Sequence, residues 1–166
     1  MKKELLVISL VLVVVSMLTV ATTGVYAKKP MDVEGTWIIV FGPSSQNVVG
    51  NGDVLIKESP EDSIEIAGDI VGTDGTFDRR LVFHDYLSGL PNSWITQHGI
   101  ITIDATFDDM EGTLYIRTSA NSKVSPDGEW RIIGGTGELA NLHGQGTFDH
   151  VNPFIFNYEG QVQFDP

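Results

Sequence analysis

The chain has no cysteine. Disulfide staples and a lipid-modified cysteine are therefore excluded, and stability has to come from the core alone. Positive charge is also scarce: 10 Lys and Arg stand against 22 Asp and Glu, a formal net charge of −12. Such a field repels phosphate backbones and anionic headgroups, which argues against nucleic acid or a membrane surface as partner. No Gly-x-Ser-x-Gly elbow, phosphate-binding loop or His-Glu-x-x-His motif occurs, so the common hydrolase and nucleotide sites lack support. Asn-x-Ser/Thr acceptors are missing too, since Asn51, Asn92, Asn121 and Asn152 all fail the pattern.

One long apolar run does exist, and it stands at the start. Lys2 and Lys3 precede an uncharged stretch from Leu5 to Ala27 that closes on Val25-Tyr26-Ala27. A basic start, an apolar middle and a small residue at the end form a secretory signal. The expected organisation is a signal peptide over 1–27 and a single domain over 28–166, with the mature protein secreted or otherwise outside the cytoplasm. An uncleaved anchor is the alternative, but Ser16, Thr19, Thr22 and Thr23 thin out the apolar end of the run. Without Lys2, Lys3 and Glu4, 8 basic and 21 acidic residues remain, a net charge of −13.

The rest of the chain alternates. Phe154, Phe156, Tyr158, Val162 and Phe164 fall on one side of a strand, with Asn157, Glu159, Gln161 and Gln163 on the other. Shorter runs with strand character cover 35–41, 53–58, 63–70, 76–84, 99–107, 111–118, 128–134 and 144–150. Turn-forming groups separate them: Asn51-Gly52, Ser59-Pro60-Glu61-Asp62, Thr73-Asp74-Gly75, Asp108-Asp109 and Ser125-Pro126-Asp127-Gly128. Glu138 to Leu142 suits one helical turn. Many short strands at this spacing predict an all-β sandwich or closed meander. Closure into an eight-stranded antiparallel barrel is favoured, because it removes the unpaired edges that a cysteine-free exported protein would have to protect.

Trp130 to Phe148 reads WRIIGGTGELANLHGQGTF. Its Gly134-Gly135-Thr136-Gly137 group and the later Gly144-x-Gly146 resemble the glycine pattern of the allene oxide cyclase-like barrels, which include dirigent proteins and small bacterial proteins of unknown function. The resemblance covers about twenty residues. It implies an eight-stranded antiparallel barrel whose interior holds a hydrophobic ligand, and it carries no catalytic side chain across. Gly35-Thr36-Trp37 is similar to the Gly-x-Trp of lipocalins, although no Lys or Arg follows Arg131 to complete that pattern. Gly134, Gly135 and Gly137 are expected to form a turn between neighbouring strands, with positive φ at one position or more and no ligand contact.

Candidate chemistry is thin. His84 beside Asp85, at a strand end, is a candidate general base, although strand neighbours face opposite ways. Arg79 shares a face with Phe77, Leu81 and Phe83; turned inward it needs a carboxylate, for which Glu65 is the candidate. Arg117 and Arg131 read as outward and solvated. Asp104, Asp108, Asp109 and Glu111 cluster around a turn and are candidate calcium ligands, without the EF-hand spacing. His98, His143 and His150 show no tight metal spacing, and no other cofactor is expected. The leading expectation is a secreted, non-catalytic barrel module that binds a small hydrophobic ligand or serves a structural role. The alternatives are an isomerase- or cyclase-like enzyme acting on a hydrophobic small molecule, and a calcium-binding surface protein.

Overall fold

A computed structural model describes residues 29–86 and 93–165; the signal read over 1–27 lies outside them. Nine strands follow in order: β1 Met31–Val40, β2 Ser45–Val49, β3 Val54–Gly68, β4 Ile70–His84, β5 Trp94–Phe107, β6 Met110–Asn121, β7 Gly128–Gly135, β8 Leu142–Asn152 and β9 Ile155–Phe164. Every neighbour pairs antiparallel, in the order β1-β9-β8-β7-β6-β5-β4-β3-β2, and β1 also pairs with β3. That last pairing closes eight strands into a barrel, and β2 remains outside as an extra strand on β3. The expected eight-stranded antiparallel barrel is the fold.

Alternation places one face of each strand inside. Val33, Trp37 and Ile39 of β1, Ile101, Ile103 and Ala105 of β5, and Leu114 and Ile116 of β6 are all buried. An aromatic cluster fills the middle. Trp37 stacks on Tyr158 at 5.6 Å between ring centroids and lies 5.2 Å from Phe148, while Trp130 meets Tyr158 edge-on at 6.1 Å. The Trp130 indole N–H donates to the carbonyls of Thr147 and Glu159, each at 3.1 Å. That reach across two strands requires glycine at 146, where a Cβ would collide with the Glu159 carbonyl and crowd the indole nitrogen.

One end of the barrel is closed. A 3₁₀ turn at Gly137–Leu139 folds Leu139 completely into the core, near Leu142 of β8. Gly137 enters this turn at φ +60°, as the glycine group leads one to expect. Gly134 and Gly135, by contrast, belong to the end of β7. The predicted helical turn over 138–142 is this shorter one, beginning a residue earlier.

Two predicted turns are bulges inside long strands. Ser59 to Asp62 lies within β3, where one extra residue opposes β4, and Thr73 to Gly75 lies within β4, where one extra residue opposes β5. Composition could not separate the two cases, because a bulge and a turn use the same residues. Pro60 is tolerated because β3 has left β2, whose last pair is Ser45 with Glu58, and has not yet joined β1 at Ser63. Asp74 takes the left-handed conformation at φ 56°, which a short polar residue accepts. Asp108 and Asp109, at φ 53° and 63°, do form the β5–β6 hairpin turn. Strand β2 has no counterpart in the sequence reading. All five of its residues are exposed, so it shows no apolar alternation.

Candidate functional site at the barrel mouth

At the end opposite Leu139, the core stops short and leaves an open cavity of about 480 Å³. Its apolar walls are Phe41, Leu81, Ile95, Ala120, Pro126 and Phe156, drawn from well-separated parts of the chain. Five polar side chains line the same space: Arg79, Gln97, Ser122, His150 and Asn152. Behind Phe156 lies the packed aromatic cluster, so side chains fill the barrel beneath the mouth.

Arg79 is the unusual residue. Its inward strand position leaves it only 5% exposed. The ion-pair partner is Asp62, not Glu65: Nη2 stands 2.7 Å from Asp62 Oδ2, and the carboxylate is fully buried. The β3 bulge causes this. Glu58, Pro60 and Glu61 point outward while Ser59 and Asp62 point inward, which brings Ile64 and Ile66 into the core and leaves Glu65 in solvent. Asp62 Oδ1 also accepts the Gly42 N–H at 2.9 Å, tying the segment after β1 to the site. The guanidinium lies 4.6 Å from the centre of the Phe41 ring and 5.6 Å from that of Phe77. Arg79 Nε has no hydrogen-bond partner among the described residues. Desolvation lowers the pKa of Arg79 by more than the attraction and hydrogen bonding of Asp62 raise it.

His150 stands at the rim, exposed, with its ring 4.3 Å from that of Phe156. Partial burial lowers its pKa; Asp149 opposes the shift and the Arg79 charge adds to it. At neutral pH its imidazole is therefore uncharged, able to donate from one nitrogen and accept at the other.

The remaining candidates lie elsewhere. His84 is on the face of β4 opposite Arg79, stacked on Trp94 at 3.6 Å and 5°, with Nε2 3.3 Å from Thr96 Oγ1. Asp85 follows at φ 53°, exposed, where the strand ends. Neither faces the mouth. Asp104 accepts the Thr113 hydroxyl at 2.7 Å, Asp108 and Asp109 make the hairpin turn, and the Glu111 N–H donates to Glu138. Among the described residues, no group of three or more His, Asp or Glu is arranged to hold a metal ion. Arg117 and Arg131 are exposed, as expected.

Sequence reasoning missed Asp62, Gln97 and Phe41. A signal for Asp62 did exist: Ile64 and Ile66 alternate against Glu65, and the same parity carried back puts Asp62 on the isoleucine side. Taking Ser59-Pro60-Glu61-Asp62 as a turn hid it.

The chain matches no known family profile and no curated protein. Among solved structures, it is similar to a protein of unknown function from the DUF3224 family of Shewanella oneidensis MR-1. The TM-score is 0.66 at 14% identity, over 83% of this chain and 99% of that one. Two pterocarpan synthase dirigent proteins also match: GePTS1 (TM-score 0.48, 15% identity, 83% of this chain and 89% of that one) and PsPTS1 (0.49, 14%, 84% and 98%). At these identities the likeness is one of fold. The chain shares the barrel fold of the DUF3224 protein, in line with the resemblance read from its glycine pattern.

Proposed function

We propose that this protein is a secreted, non-catalytic barrel that binds a small apolar molecule at its open end. The supporting observation is the mouth itself, an apolar cavity with a few convergent polar groups above a close-packed core. A barrel with a purely structural role has no need to leave Phe41, Leu81 and Ile95 lining an open space, because burying such side chains is worth about 1.5–3 kcal/mol each. Export rests on the signal-like start; a mature protein recovered outside the cytoplasm should begin at Lys28.

The test uses the uncharged fluorescent probe N-phenyl-1-naphthylamine. The wild-type protein should bind it with a blue shift and saturation. Ala120→Trp, which fills the mouth from a half-buried position on β6, should abolish the signal without lowering the melting temperature by more than a few degrees. Equal binding by the two proteins would remove the mouth as the site.

A further inference from the structure

We infer that the Gln97 amide selects the ligand of the mouth. The ligand it fits is an uncharged molecule with an apolar body and a head that sets an N–H donor beside a carbonyl acceptor, as in a primary carboxamide or lactam. The inference rests on the mouth being a ligand site and adds the chemical class.

Strand register aims Gln97 into the cavity. It stands directly opposite Leu81 on β4 and Ala120 on β6, and both line the mouth. Residues paired in this way project from the same face of the sheet. Only 7% of Gln97 is exposed. The other polar groups of the mouth are already engaged or stand at its edge. Ser122 Oγ accepts the Ile95 N–H at 2.8 Å, and Asn152 Oδ1 accepts the N–H groups of Phe154 and Ile155 at 2.8 and 3.0 Å. Arg79 is held by Asp62, and His150 is exposed at the rim. Arg79 Nε and Thr118 Oγ1 are sealed away without a partner. The Gln97 amide, equally without one among the described residues, keeps surface on the cavity.

An amide carries both donors and an acceptor, and in an apolar wall each kind is costly to leave unmet. A ketone or ester accepts from the Gln97 NH2 and leaves the Gln97 oxygen orphaned. A carboxamide head meets both: its carbonyl takes a Gln97 N–H while its own N–H goes to the Gln97 oxygen. Charge disfavours ionised heads. Asp62 already balances Arg79, and a carboxylate would have to shed its water among Phe41, Leu81, Ile95 and Phe156. It would also approach a chain of net charge −12. A cationic head finds no carboxylate among the lining residues, and Arg79 instead.

Four naphthalenes of one shape separate the outcomes when each displaces N-phenyl-1-naphthylamine from the wild-type protein: naphthamide, naphthyl methyl ketone, isopropenylnaphthalene and naphthoate. Naphthamide should bind about tenfold more tightly than the ketone, the worth of one further hydrogen bond to an otherwise orphaned acceptor. It should also outbind the hydrocarbon and naphthoate. In nitrogen-edited NMR spectra, the side-chain NH2 signal of Gln97 should move downfield as naphthamide binds. A ketone equal to naphthamide would overturn the inference and leave the apolar site standing. So would a Gln97 signal that stays in place under saturating naphthamide. Naphthoate binding most tightly would overturn it in favour of an anion site. A protein that takes up neither the probe nor any of the four would remove the mouth as a ligand site and the inference with it.

Discussion

At the scale of single residues, what a position tolerates follows from backbone conformation and from the atoms around it. Gly137 sits at φ +60°, and a Cβ there would stand 2.8 Å from the Glu111 carbonyl oxygen. Gly134, three residues earlier in the same glycine group, has an ordinary strand backbone, with the nearest atom to a Cβ at 3.8 Å. Gly137→Ala should therefore cost at least about 1–2 kcal/mol, and Gly134→Ala should be neutral or slightly stabilising. Urea titration of both variants checks the contrast; equal losses would mean that the group acts as one flexible segment. Tyr158 is a second case. Its buried hydroxyl accepts the Ile70 N–H at 3.3 Å, and desolvation pushes its pKa up to about 12. The unfolded phenol ionises near 10, so the folded state loses stability as pH rises from about 10 to 12, on the order of 2 kcal/mol in total. Below pH 10 this contribution is fully present. Tyr158→Phe should flatten that alkaline limb while costing about 1 kcal/mol at neutral pH.

At the scale of elements, legibility in the sequence divided along one line. Strands with an apolar inner face and a polar outer face were readable from residue types alone, β9 most clearly, because a period of two has no competing explanation. Strand β2 was not, since a strand outside the barrel has no inner face to show. The bulges in β3 and β4 were hidden for a different reason: Pro, Asp and Gly mark any interruption of a ladder, whether the chain reverses or continues. That ambiguity moved the partner of Arg79 from Asp62 to Glu65. It also supplies a discriminating pair of variants. Asp62→Asn leaves Arg79 buried without a counter-ion and should cost about 3–5 kcal/mol, whereas Glu65→Gln on the solvent face should stay within about 0.5 kcal/mol. The reverse order, measured by thermal or urea unfolding, would mean that β3 runs without its bulge.

At the scale of the molecule, the two ends of the barrel differ, and the difference is tertiary. The closed end is sealed by Leu139 and the 3₁₀ turn that carries it; the open end stops at Phe156. The mouth was illegible in the sequence because its walls come from β4, β5, β6 and β9 together with Phe41 and Pro126 from the segments between strands, and no local pattern joins them. The glycine group did announce the barrel, since its role lies in the architecture of the closed end. The central claim, that the open end takes an apolar molecule, is tested most directly by methyl chemical-shift mapping during titration with N-phenyl-1-naphthylamine. The methyls of Leu81, Ile95 and Ala120 should shift and saturate together, while those of Val33, Ile70 and Val162 toward the closed end stay in place. Shifts centred on the closed end, or spread over the exposed valines of β2 with the mouth unmoved, would contradict the account.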